Sequence, residues 1–402
     1  MAGKGISHSQ QVLLDILRCS LRGEKYQTDK DVNWEEVFQE SRLQAVAYQA
    51  LDAISPSQTI PAGVKDAWMQ YAMASVQKNL QVHSEHSFVD RQMTENNIPY
   101  CILKGSAAAS YYPLPSLRAM GDVDFLVSEE DIPKATQALV SLGFTPWKED
   151  HDCHIVLRKG RQHLEMHFAP AGIPDGKPGE QIRGYLESVF VAAQRVTVEG
   201  FSFVRPSAFH HGLILLMHMY HHILSEGIGL RHLCDWGVFV SSLGAETFSA
   251  LFQEKLTACG LWQFAKIMSG CACYAFSLPQ EGFVEDCPLY HELLEDIFCG
   301  GNFGVKAPER TNQSRFFSRR GKQGVSRFSF LHLISSMNRT ARKQYPVFEK
   351  CRILRPFGWI FVGGRYFIKA IFGKRKLPDR EFLRQAGDRK ELYRKFHLFE
   401  VK

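Results

Sequence analysis

Three kinds of segment are missing from this 402-residue chain, and each absence narrows what it can be. Its ten cysteines include no C-x-x-C pair; Cys271 and Cys273 stand one residue apart, a spacing that suits neither zinc nor dithiol chemistry. Scattered cysteines of this kind argue against a disulfide framework and predict free thiols in a reducing cytoplasm. The opening residues, MAGKGISHSQQVLLDILRC, lack the basic-then-apolar pattern and small-residue cleavage site of a secretion signal. No apolar run reaches the length of a membrane span. The most apolar late stretch, residues 353–372, is interrupted by Arg355, Arg365 and Lys369. What remains is the composition of an ordinary globular protein, long enough for two or three packed units.

The net charge of +6 conceals an asymmetry. Residues 303–402 hold 25 lysines and arginines against 7 aspartates and glutamates, an excess of 18 positive charges, so the first 302 residues carry a net −12. Such a block suits an anionic partner or surface, and equally a solvated basic face. Basic and aromatic residues interleave in residues 314–322 and 367–376. That pattern fits an interfacial helix, a nucleic-acid-facing surface, or a helix docked by its apolar stripe.

The middle of the chain carries the chemistry. Residues 98–127, IPYCILKGSAAASYYPLPSLRAMGDVDFLV, read as a strand (99–103), a tight turn at Lys104-Gly105-Ser106, a short helix (107–112) and a second strand (123–127). Strand alternation puts Asp122 and Asp124 on one face and Val123 and Phe125 on the other. Adjacent carboxylates repel unless a cation or proton lies between them, and Mg²⁺ is a hard cation that takes hard oxygen ligands and phosphate oxygens together. Gly105 and Ser106, opening a helix, offer backbone N–H groups and a hydroxyl to an anion such as a triphosphate. Phosphate at one end and metal at the other are the parts of a nucleotidyl transfer site.

The order Leu-Lys-Gly-Ser, Tyr-Pro, Arg, Gly-Asp-Val-Asp-Phe-Leu-Val resembles the polymerase-β-type nucleotidyltransferase superfamily. Within it, the chain is similar to a bacterial family known as uncharacterised nucleotidyltransferases. The resemblance covers residues 98–168 and, more weakly, GLRHLCDW at 229–236. Its Gly105-to-Asp122 spacing is longer than the superfamily's commonest form. It implies a third carboxylate on a later strand, for which Glu165 is the candidate; His163, Glu165 and His167 share the face opposite Leu164 and Met166. It further implies Mg²⁺ (or Mn²⁺) on Asp122, Asp124 and Glu165, a nucleoside triphosphate held by Lys104, Gly105, Ser106, Arg118 and Arg231, and pyrophosphate release by two-metal in-line displacement. Glu165 or an aspartate would take the acceptor's proton. The acceptor itself, small molecule, protein or RNA, is not readable, nor is the base. Arg231 either reaches a phosphate or pairs with Asp235.

Around this core the sequence predicts an α+β fold, a small mixed sheet flanked by helical regions: 1–97 helical, 98–205 catalytic, 206–300 helical with a histidine-rich helix, and 301–402 basic and helical. His83 and His86, on the helix at 64–95, are expected at the surface. On the helix at 207–224, His211, His218 and His222 fall near one face, with His232 or Asp235 as a third ligand if the 218/222 pair held a metal. Two other functions remain open: a D-x-D glycosyltransferase that uses a sugar nucleotide, and a nucleotide-binding regulator without turnover.

Overall fold

The chain opens on helices. In α1 (His8–Arg22) the Ser7 hydroxyl accepts the Gln10 N–H while the Gln10 side chain accepts the Ser7 N–H, a reciprocal N-cap. α2 (Trp34–Leu43) and α3 (Ala47–Ala53) pack with it, and the 34-residue α4 (Ala62–Glu95) leads to the sheet. These observations come from a computed structural model that describes residues 5–147, 153–278, 286–313, 334, 337–338, 341–342, 345–351, 353–371 and 380–400.

Five strands form a mixed sheet in the order β1-β2-β5-β4-β3: β1 (Tyr100–Ile102), β2 (Val123–Val127), β3 (Thr145–Trp147), β4 (His154–Lys159) and β5 (Gln162–His167). β2 runs parallel to β5, and the other pairings are antiparallel. The short α5 (Ser106–Ala109) follows β1, and α6 (Ile132–Ser141) follows β2. The fold is α+β, with helices on both flanks of a small mixed sheet. After α7 (Lys177–Leu186), a hairpin of β6 (Gln194–Val198) and β7 (Phe201–Arg205) forms a second, two-stranded sheet.

The chain then returns to helices: α8 (Ala208–Leu224), α9 (Leu230–Leu243), α10 (Ala245–Ala258), α11 (Trp262–Phe276) and α12 (Pro288–Gly300). Shorter helices α13 (Arg310–Gln313) and α14 (Pro346–Lys350) precede α15 (Gly358–Ile371) and α16 (Arg380–Arg394). The basic stretch at 314–322 and the part of 367–376 beyond residue 371 lie outside the described residues. No helix among the described residues is long and apolar enough to cross a membrane.

Two apolar cores result. One gathers α1–α3 with α8–α12 and α16; the other packs β-sheet residues Val123, Phe125, Leu164 and Met166 against α6 and the far half of α4. α4 belongs to both. Trp68, near its start, is buried in the helical core with its indole N–H on the Ala47 carbonyl, while Val82, Val89 and Met93 serve the sheet.

Candidate active site

Strand pairing brings the carboxylates together. In the parallel β2/β5 register Asp124 lies directly beside Glu165, while Val123 and Leu164, and Phe125 and Met166, turn their side chains into the core. The Lys104 ammonium reaches Asp124 Oδ1 at 3.0 Å from the turn after β1, and His167 Nε2 reaches the same oxygen at 2.9 Å. Glu165 is ringed by imidazoles: His163 and His167 at 3.6 Å and His154 at 3.9 Å.

The electrostatics divide the two aspartates. Burial, then the neighbouring Asp124 and Glu165, push the Asp122 carboxyl above its ordinary range. Burial works against ionised Asp124 too, but Lys104 and the His167 hydrogen bond outweigh it and hold that carboxyl well below the usual range. Burial opposes a charged His167; its bonds to Asp124, Cys153 and Glu165 push it up to about 10 nonetheless. One oxygen each from Asp124 and Glu165 and a nitrogen of His167 lie within 4.8 Å of one another, as do donors of Cys153, His154 and His167. Either group could hold an ion.

The turn that shapes the other wall is built differently from the sequence expectation. Gly105 takes φ +54°, and a Cβ there would stand 2.6 Å from His86 Cε1. Ser106 is buried, its Oγ 2.6 Å from His86 Nδ1 and 2.8 Å from His83 Nδ1. One hydroxyl proton serves one ring, so the other imidazole donates its own N–H to the oxygen. His83 and His86 are therefore not surface residues. They are buried on the face of α4 that meets the Lys104–Ser106 turn, and burial lowers both, His86 to about 3. The i,i+3 spacing of the pair was the available signal; nothing in a polar-looking helix tells which face it buries.

The arginines sort in an unexpected way. Arg118 forms a buried bidentate pair with Asp235, Nε–Oδ1 2.8 Å and Nη2–Oδ2 2.6 Å, and the Tyr112 hydroxyl donates to the same carboxylate at 2.7 Å. The guanidinium proposed for the triphosphate is thus committed within the protein, though it borders the cleft. Asp235 takes Arg118 rather than Arg231. Arg231 instead rests Nη1 on the Ala119 carbonyl at 3.3 Å, its Nε buried without a partner, and borders the cleft beside Gly121 and Asp122.

The histidine helix divides as well. His218 and His222 face each other at 4.4 Å between ring centroids and meet His232 at 5.3 and 6.1 Å. Burial keeps His218 and His232 well below their ordinary values, hence neutral. His211 stands apart, stacked on Tyr111 and edge-on to Phe239. No spacing or motif pointed to Phe303, which approaches from beyond α12 and packs on all three clustered rings.

These walls enclose a continuous cleft. A throat of about 70 Å³ is bordered by Lys104, Gly105, Asp122, Asp124, Arg231 and Phe303. It shares Lys104 and His218 with a cavity of about 640 Å³ bordered by Glu165, His167, Arg183 and His222. On its other side it shares Gly121, Arg231 and Phe303 with a cavity of about 370 Å³ that reaches Tyr48 and Tyr71.

Comparison with known proteins places the chain among the nucleotidyltransferases. It belongs to the family described as "Uncharacterised nucleotidyltransferase", which matches residues 30–276. Among solved structures, the solution structure of the antibiotic-resistance factor ANT(2'')-Ia is similar at 18% identity, over 43% of this chain and 89% of that one, with a TM-score of 0.30. No curated protein matches the chain.

Proposed function

We propose that residues 98–205 form the core of a divalent-metal-dependent enzyme that moves a nucleoside monophosphate from a nucleoside triphosphate to an acceptor hydroxyl. The observation that carries this reading is the lateral pairing of Asp124 with Glu165, with Asp122 just before the strand that carries Asp124. Asp124, Glu165 and Asp122, the last pushed up by burial and then by the other two, offer the hard oxygen donors that Mg²⁺ or Mn²⁺ prefers, and a cation would offset their repulsion. When bound, the metal pair would polarise the α-phosphate and stabilise charge on both the entering and leaving oxygens.

The chain's own groups do the rest. Lys104 and Arg231 set positive charge along the throat for the triphosphate. Gly105 leaves room for the His86 ring against the turn, and Ser106, tied by His83 and His86, fixes that turn. Arg118 holds α9 to the loop before β2 through Asp235. Glu165 takes the proton of the acceptor hydroxyl as its oxygen bonds to the α-phosphorus; the bond to the β-phosphate oxygen breaks and pyrophosphate leaves. The basic block after residue 303 is assigned to an anionic acceptor or surface.

The test is pyrophosphate release from each of the four ribonucleoside triphosphates with Mg²⁺ or Mn²⁺, using cell extract as the acceptor pool. Release by the wild type and none by Asp122→Asn/Asp124→Asn is the expected result, and the labelled product names the acceptor. Equal release by both sinks the assignment. Silence with every nucleotide but measurable binding makes the protein a nucleotide-responsive regulator, and silence without binding turns the search to sugar nucleotides.

A further inference from the structure

Phe303 lies outside the family-matched segment, in backbone that a phenylalanine seldom adopts: φ 53°, ψ 36°, the left-handed region. Such a conformation persists only where the surroundings over-determine it. Here they do. The turn carrying it, Asn302–Gly304, presses on Gly229 at the start of α9, where a Cβ would come within 2.8 Å of Asn302 Cα. The ring meets His218, His222 and His232 at 4.6 to 6.2 Å, and the Arg231 guanidinium lies 5.5 Å from its centroid. Clamped this way, the residue is still 39% exposed and borders both the throat and the 370 Å³ cavity. A large aromatic held at such a cost with its surface open to a cavity offers a flat apolar face to a ligand.

The two larger cavities differ in what they can accept. Glu165, the group that takes the acceptor's proton, borders only the 640 Å³ cavity, so the acceptor belongs on that side. The 370 Å³ cavity opens on the Asp122–Gly121 side instead and is walled by Tyr48, Tyr71 and Phe303, with Lys78 and Arg231 at its edges. Its volume falls within the range of small-ligand pockets, about 300–1,000 Å³. Aromatic walls suit a planar π-system, and base stacking on such rings tolerates any base.

We propose that Phe303 is the stacking platform for the base of the nucleoside triphosphate, which enters the cavity between Phe303 and Tyr71 and leads its phosphates past Arg231 to Asp122 and Asp124. This rests on the nucleotidyl transfer reading. It makes the C-terminal part of the chain a contributor to the site, supplying a wall that the matched segment lacks.

The experiment is calorimetric titration of the full chain, with Mg²⁺, by α,β-methylene nucleoside triphosphates carrying each base, and in parallel by inorganic tripolyphosphate, which has no base to stack. Phe303→Leu is expected to weaken nucleoside triphosphate binding about tenfold and to leave tripolyphosphate binding unchanged. Phe303→Tyr restores the affinity. Tyr71→Ala, on an exposed face of α4, is expected to cost a few-fold in the same selective way, and it serves if Phe303→Leu fails to fold. Wild-type-like binding by Phe303→Leu, or by Tyr71→Ala where only that variant folds, overturns the proposal, and so does an equal loss of both ligands. A wild type that binds no nucleoside triphosphate removes the nucleotidyl transfer reading, and the platform with it.

Discussion

Two buried polar groups flank the same cleft and are built on opposite principles. In the Arg118–Asp235–Tyr112 cluster the carboxylate receives three short hydrogen bonds from within the protein. On the other side Asp124 lies beside Glu165 and two residues after Asp122, and Asp122 is left with its carboxyl pushed up by burial and by its neighbours. The first cluster is closed on itself; the second has negative charge to spare. A polar residue in a cleft is better sorted by whether its bonding capacity is already used than by whether it borders the space. By that criterion Arg118 is a tie, whereas Arg231, with a buried unpartnered Nε, has donor capacity left.

The contrast breaks if the two clusters respond alike to substitution. Asp122→Asn should take transfer to background while thermal unfolding stays within a few degrees of wild type, since the carboxyl is already pushed up by burial and by its neighbours; Asp124→Asn should abolish transfer and also lower stability, because it weakens the Lys104 and His167 contacts. Glu165→Gln should lower kcat by about a hundredfold with little change in nucleotide affinity; an unchanged kcat moves the proton acceptor elsewhere. Arg118→Ala should do the reverse, costing about 3–5 kcal/mol of stability by stranding Asp235, as read from urea unfolding. If the Arg118→Met/Asp235→Leu pair is no more stable than Arg118→Ala alone, the stranded-charge account fails.

Smaller effects sharpen the picture. His211, pushed down to about 3 by burial, stays neutral in the folded protein. Unfolding returns it to about 6.5, so the unfolded state binds the extra proton between these values and stability falls as the pH drops through that window. His211→Phe should therefore flatten the acid limb, by about 2 kcal/mol at pH 5; an unaltered pH profile would show that the ring is already solvated. Gly105→Ala should cost about 1–3 kcal/mol through its left-handed backbone and the His86 contact, and His86→Ala in the same chain should recover only the contact share. Full recovery would show that the backbone angle is not strained.

Much of this was legible in the sequence. The β2 strand, the Asp122/Asp124 face, the Glu165 strand and the histidine helix follow from alternation and spacing, because the residues that define each are neighbours in the chain. The rest depends on partners far apart in it. Two arginines competed for Asp235, one four residues away and one 117, and only the tertiary fold chose the distant one. His83 and His86 sit on a helix that is weakly patterned because it serves two cores, so no single apolar stripe marked its buried side. Phe303 comes from outside the matched segment altogether.

α4 spans roughly 51 Å at 1.5 Å per residue, rooted at Trp68 in one core and at Met93 in the other. It works as a beam: the sheet cannot swing away from the helical layer without bending it or pulling His83 and His86 off Ser106. A second tie, Arg118 to Asp235, joins the loop before β2 to α9, and both ties reach the throat, one through Gly105 beside Ser106 and one through Arg118 and Asp235 themselves.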